Sequence, residues 1–122
     1  MTGVQTCALP ISDASGKFAQ SPQTAFASAT PTEEVDALFF DADGDKDLDL
    51  YVVTGSNEFF PDDPALADRL YVNDGKGGFT LAANALPRLL DSGSCARAGD
   101  FDRDGDLDLF VGTRLKIGRA HV

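Results

Sequence analysis

The residues of this chain best placed to do chemistry are two runs of alternating aspartates. Asp41, Asp43, Asp45, Asp47 and Asp49 occupy every second position of FFDADGDKDLDLYVV, and Asp100, Asp102, Asp104, Asp106 and Asp108 do the same in GDFDRDGDLDLFV. Carboxylates about 6 Å apart repel by roughly 1 kcal/mol in water and roughly 3 kcal/mol at a protein-surface dielectric. An ordinary turn needs one or two Asp. Either these loops are simply well solvated, or a cation belongs inside them. In a tight cation-binding loop, positions 1, 3 and 5 turn carboxylates inward, position 7 offers a backbone carbonyl, and a later acid closes the shell. Counting from Asp41 and from Asp100, the closing acid stands at position 9. All donors are hard oxygens with no Cys or His nearby, which favours Ca²⁺ over zinc or copper, while Mg²⁺ keeps more of its water. An EF-hand is excluded, because position 12 is Val52 or Val111 and the flanks read as strands. A solvated acidic turn is the plain alternative; the same spacing met twice weighs against it.

The elements that carry these loops repeat with them. FDADGDKDLDLYV from Phe40 recurs as GDFDRDGDLDLFV from Gly99, at an offset of 59 residues. DASGKF from Asp13 recurs as DGKGGF from Asp74, at an offset of 61. Two unrelated motifs in the same order at nearly one period mark a structural repeat. VDALFF enters the first acidic loop and LDLYVVT leaves it, both rich in β-branched and aromatic residues. RLYVNDGKGGFTLA reads as a hairpin around a Gly-rich turn. Ser56 to Ala67 reads as a loop with at most one helical turn, and no amphipathic helix of useful length is present. About four short strands per period of roughly 60 residues predict a β-propeller blade. The fold expectation is therefore all-β with antiparallel strands: one complete blade plus parts of two neighbours, with apolar surface exposed where blades are lacking. Tyr71, Phe79, Phe101 and Phe110 are expected in the core. Arg97 is a candidate partner for a loop carboxylate or a solvated cation.

At 122 residues the chain is at most one modest domain. A formal charge of −10 argues against nucleic acid or an anionic membrane as partner, and no apolar run is long enough to span a bilayer. The termini read differently from the rest. Codons ATC GGA AGA GCA CAC GTC for the C-terminal IGRAHV have a reverse complement that, read in a shifted frame, encodes TCALP, found near the N-terminus. Such complementarity is expected of a sequencing adapter translated at both ends of a fragment. The expected boundaries are a non-native tail at 1–12, a repeat region at 13–115 and a second tail at 116–122. Cys7 and the single histidine, His121, then drop out of the functional argument, leaving Cys95 without a native partner.

DFDRDGDLDLFVG and LYVNDGKGGF resemble the FG-GAP/VCBS-type repeats of integrin-like β-propellers, including bacterial proteins of the ASPIC/UnbV-associated group. The resemblance implies that Asp41, Asp43, Asp45 and Asp49 bind Ca²⁺ through side chains and Asp47 through its carbonyl, with Asp100, Asp102, Asp104, Asp106 and Asp108 following the same order. One departure stands out: the glycine frequent at position 6 is Gly105 in the second loop and Lys46 in the first. A positive φ there would strain Lys46 and make the second loop the tighter binder. The implied function is a non-catalytic calcium-binding module of an exported or cell-surface bacterial protein, serving adhesion, ligand binding or scaffolding. Its site would be extracellular, cell-surface or periplasmic. Its partners would be a protein or glycan and the remaining blades. The alternative is a piece of a carbohydrate-active or phosphodiesterase-like propeller enzyme whose catalytic residues lie elsewhere.

Overall fold

In the computed structural model, residues 10–20, 24–26, 32–56 and 63–115 are described. They form eight strands, β1 (Pro10–Ser12), β2 (Phe18–Gln20), β3 (Glu34–Phe40), β4 (Asp49–Thr54), β5 (Arg69–Asn73), β6 (Phe79–Leu81), β7 (Ser92–Gly99) and β8 (Asp108–Leu115). Two short 3₁₀ turns, Thr24–Phe26 and Pro64–Leu66, are the helical elements among the described residues. The second turn lies inside the predicted Ser56–Ala67 loop and is capped by Asp63, whose Oδ1 accepts from the Ala65 amide at 2.9 Å. Every strand pairing is antiparallel: β3-β4-β5-β6 make one four-stranded meander, and β1-β2 and β7-β8 make two-stranded sheets. The all-β reading holds, with one whole four-stranded unit between two halves. The terminal segments set apart by sequence, with Cys7 and His121, lie outside the described residues except for Pro10–Ser12.

The repeat seen in the sequence is also a repeat of register. In the first hairpin Pro10, Ile11 and Ser12 face Gln20, Ala19 and Phe18; shifted by 61 residues, Tyr71, Val72 and Asn73 face Leu81, Thr80 and Phe79. Their turns match as well. The Asp13 amide donates to Lys17 O at 2.8 Å, and the Asp74 amide to Gly78 O at 2.9 Å. Each aspartate then takes two turn amides on Oδ1: Ser15 and Lys17 on Asp13, Lys76 and Gly78 on Asp74. Gly16 and Gly77 supply the positive φ, 83° and 85°, that lets the chain reverse. The acidic segments sit at equivalent corners. Phe40 pairs with Asp49 at the mouth of the first, and Gly99 with Asp108 at the mouth of the second.

The core forms on both faces of β4, whose six residues are all buried. Period-two alternation sends Tyr51 and Val53 to one face, where they meet Phe40, Leu70 and Ala96. Leu50 and Val52 go to the other, against Phe26 and Tyr71. Phe26 meets the Tyr71 ring edge-on, with centroids 5.1 Å apart. The first face is the contact between units: β7 packs over β3 and β4. Small residues allow this approach. A Cβ on Gly93 would sit 2.9 Å from Thr54 O, and a Cβ on Gly55 would collide with Gly93 O. Polar links cross the same junction: Asp36 Oδ2 accepts from the Ala96 amide at 3.0 Å, and Ser92 Oγ accepts from the Ser56 amide at 3.0 Å.

One expectation is corrected here, and the two alternatives for Arg97 are separated: its side chain is largely exposed. Phe101 and Phe110 are not core residues; they are 69% and 56% exposed. Phe110 corresponds to Tyr51, which is 4% exposed because the β7 unit covers it. No described element covers Phe110 in the same way. Arg97 does not reach an acidic loop; its Nη1 lies 3.4 Å from Asp36 Oδ2, at the junction between units. Tyr71 is buried and Phe79 half-buried against it, as expected.

Candidate metal centre

Each acidic loop bridges two strands of a hairpin, and its aspartates first organise their own backbone. In the first loop Asp41 Oδ1 accepts from the Gly44 amide at 2.8 Å and Oδ2 from the Lys46 amide at 2.9 Å. Asp43 Oδ1 accepts from Asp45 at 3.2 Å, and Asp45 Oδ1 from Asp47 at 2.9 Å. Asp49 closes the ring by accepting from the Ala42 amide at 2.8 Å. The second loop repeats the scheme. Asp100 takes the amides of Asp104 and Gly105, Asp102 that of Asp104, Asp104 that of Asp106, and Asp108 that of Phe101. Short polar side chains bonding to nearby amides explain why Asp recurs at alternate positions.

This folding aims three carboxylates of each loop at one point. One oxygen each from Asp41, Asp43 and Asp49 lies within 4.8 Å of the others, and so for Asp100, Asp102 and Asp108. Oxygens held by one Ca²⁺ at roughly 2.3–2.6 Å can stand at most about 5 Å apart, so both trios fit such an ion. A carboxylate offers about four lone-pair sites, and the amide bonds leave capacity for a cation. Asp45, Asp47, Asp104 and Asp106 fall outside the trios. Asp47 turns its side chain toward the β5-β6 turn, where a Cβ on Gly75 would stand 2.5 Å from Asp47 Oδ2.

Electrostatics separates the members of the first trio. At Asp41 desolvation is the largest single influence and pushes upward, yet the amides of Lys46, Gly44 and Asp45 together hold the carboxyl below its usual range. Asp43 is raised, by desolvation first and then by its contact with Asp45 and the negative charges of Asp45 and Asp49. Crowding therefore penalises the ionised Asp43, and a cation among the trio would relieve it.

The strain expected at position 6 takes a different form. Position 6 does have positive φ in both loops, 74° at Lys46 and 98° at Gly105. Position 4 has it too, 79° at Gly44 and 62° at Arg103. Each loop thus places one glycine and one bulky residue in the left-handed region, in opposite order. The inference that the second loop binds more tightly loses its basis.

Residues 41–111, more than half of the chain, match the FG-GAP-like repeat family. The chain belongs to that family. No curated protein and no solved structure matches it.

The FG-GAP-like match begins at the first aspartate of one loop and ends just past the second loop, so it frames both trios. Around them the repeat uses residues that the sequence reading passed over. Asn73, the last residue of β5, latches that strand to the first loop. Its amide donates to Asp49 Oδ1 at 2.8 Å, and its Nδ2 to Leu48 O at 3.0 Å. Asp49 therefore has an amide on each oxygen while lying fully buried. The signal was available: Asn73 opens the Asn-Asp-Gly turn after β5, where an amide donor is needed. Asp68, before β5, accepts from Tyr51 Oη at 2.5 Å and from the Thr54 amide at 2.8 Å. Burial raises the Asp68 carboxyl, and burial together with Asp68 raises the Tyr51 phenol. Asp68 is far from the trios in this scheme and serves to tie β4 to the start of β5.

Proposed function

We propose that this FG-GAP-like repeat chain is a calcium-binding module. Asp41, Asp43 and Asp49 hold one ion, and Asp100, Asp102 and Asp108 a second. The observation that carries the reading is the convergence of three carboxylates at the same corner of two successive units. Four of the remaining acids have supporting roles: Asp45 and Asp104 order the backbone, and Asp47 and Asp106 stand where a carbonyl ligand is expected. When bound, the ion supplies charge neutralisation that lets the loops stay compact. The residues themselves supply the ring of amide bonds that holds the trio open.

The repeat region is assigned to 13–115, and 1–12 and 116–122 to adapter-derived tails; Pro10–Ser12 of the first tail still pair with β2, since main-chain bonds do not depend on side-chain identity. The parent is a bacterial exported or surface protein that presents a propeller to a protein or glycan, of the kind found in the ASPIC/UnbV-associated group. Extracellular modules bind Ca²⁺ at roughly 10⁻⁴ to 10⁻³ M, which suits that setting. The chain itself serves adhesion, ligand binding or scaffolding and is not a catalyst.

Calorimetric titration of CaCl₂ into chelator-stripped protein tests the reading, with a melt recorded beside it. Two binding events and a rise in melting temperature reversed by chelator are expected. An ion that binds only the folded form stabilises it by about 2.7 kcal/mol at a hundredfold excess over Kd. A melt indifferent to millimolar Ca²⁺ would leave two solvated acidic turns in place of two sites.

A further inference from the structure

We infer that the Arg69–Glu34 ion pair encloses a binding site for one water molecule, held between Arg69 Nε and Thr54 Oγ1. The site lies at the end of β4 opposite the acidic loop and is independent of the calcium reading. Strand register puts its parts together. Arg69 lies on β5 opposite Val52, and Glu34 lies on β3 opposite Thr54. Cross-strand partners share a face, so all four side chains stand on the face of β4 that carries Leu50. Two strand spacings, about 10 Å, separate Arg69 from Glu34, with β4 between them. Their side chains still meet. Arg69 Nη2 donates to Glu34 Oε1 and, at 3.1 Å, to Thr32 Oγ1, which in turn donates to Glu34 Oε1 at 3.0 Å. To reach that pair the arginine has to cross β4 over Val52 and Thr54.

The bridge leaves two polar atoms over. Thr54 is fully buried, and the Arg69 and Glu34 side chains are only 13% and 15% exposed. Among the described residues, Arg69 Nε and Thr54 Oγ1 are the two buried side-chain atoms with no hydrogen-bond partner in the protein. Burying a polar atom without a partner is costly, so native folds rarely leave one. Here both fall on one face, one of them beneath the side chain that carries the other. That coincidence points to a ligand shared between them.

Chemistry selects the ligand. It has to accept from an N–H, bond a hydroxyl, and be small enough for a site closed to the surface. A halide would accept from Arg69, but the Glu34 carboxylate already balances the guanidinium and would repel a second anion. Water accepts from Nε, bonds Thr54 Oγ1 in either sense, and has a hydrogen left for Glu34, which gives it the usual three partners. The site also distinguishes this unit from the next. Thr113 stands where Thr54 does, one repeat on, but the residue paired with it is Gly93, which has no side chain to bridge β8. The enclosed water therefore belongs to this unit alone and not to the frame that both units share.

Thr54→Val gives a test whose sign decides, because valine keeps the shape and removes the hydroxyl. With water bound, the substitution breaks a hydrogen bond, and the folded-to-unfolded ratio in urea should fall about fivefold. With a dry site it removes an unsatisfied hydroxyl, and the ratio should rise; a rise overturns the inference. Arg69→Lys keeps the charge facing Glu34 and removes the Nε–H. On that background Thr54→Val should cost clearly less, since the two groups are coupled through the water without touching. Strictly additive losses would also overturn it. A high-resolution crystal structure of the full, unsubstituted chain decides the matter even if a variant fails to fold. One density peak within hydrogen-bond distance of both Arg69 Nε and Thr54 Oγ1 is expected, and Thr54→Ser should retain it. A direct bond between the two groups, or no peak between them, would refute the site.

Discussion

The two acidic loops share spacing, hydrogen-bond scheme and strand corners, yet they are not equally embedded. Asp49 is fully buried and joined to β5 through Asn73, whereas Asp108 is half-buried and, among the described residues, joined only to its own loop. The same nine-residue pattern is thus seen once inside a complete unit and once at a free edge. The difference teaches that the closing aspartate has two duties. It faces the trio on one side and the neighbouring hairpin on the other, so the docked hairpin would help preorganise the proposed cation site.

The sharpest way to break this comparison is to remove the closing acid from each loop. Asp49→Ala strands two part-buried amides, those of Ala42 and Asn73, each worth roughly 1–3 kcal/mol, so a loss of about 3 kcal/mol is expected in urea unfolding. Asp108→Ala leaves one amide near solvent and should lose about 1 kcal/mol. Equal losses would mean that the Asn73 link contributes nothing.

Next in size is the cation response. Asp43→Ala and Asp102→Ala should each abolish one calorimetric binding event. The first should remove the larger share of Ca²⁺-dependent stabilisation, because its loop is preorganised by β5. A larger loss from Asp102→Ala would restore the view that glycine at position 6 governs affinity.

Backbone strain gives a smaller and symmetric effect. A left-handed non-glycine residue costs about 1–2 kcal/mol. Lys46→Gly and Arg103→Gly should each raise stability by about 1 kcal/mol after the entropy of the added glycine is counted. The gains should match between loops in chemical denaturation. A gain at Lys46 alone would show that position 4 carries no strain.

The smallest effect is in pH. Without Ca²⁺, carbon NMR titration should place Asp41 below the ordinary aspartate value of about 3.9 and Asp43 above it. The lowered Asp41 contributes stability that is present above the unfolded value and fades as pH falls through its folded value. The raised Asp43 does the reverse: its contribution is present below the unfolded value and fades as pH rises through the folded one. Added Ca²⁺ should pull both downward.

Much of this was legible in the chain. The offsets of 59 and 61 residues identified the unit, and runs of β-branched and aromatic residues between turn residues marked the strands, because such side chains suit a packed pleated sheet. The trio members were all among the ten aspartates named. Sequence could not separate the three convergent acids from their neighbours, since alternate Asp residues also serve to bond loop amides. It missed Arg103 at position 4, because a glycine at position 6 draws attention to a single site of reversal. It placed Phe101 and Phe110 in the core from their type, although burial depends on a neighbour that the residue itself does not encode.

The bond between Asp36 and the Ala96 amide spans 60 residues, about one repeat, and it crosses from one sheet to the next. It works as a gauge. An amide can meet that carboxylate only if β7 keeps its phase, since a one-residue shift turns the N–H to the other edge of the strand. Length can be added in the connection at 82–91 without disturbing the gauge, but not inside β7 ahead of Ala96. Natural insertions and grafted epitopes therefore belong in the connection, and a library of insertions should survive there and fail within β7.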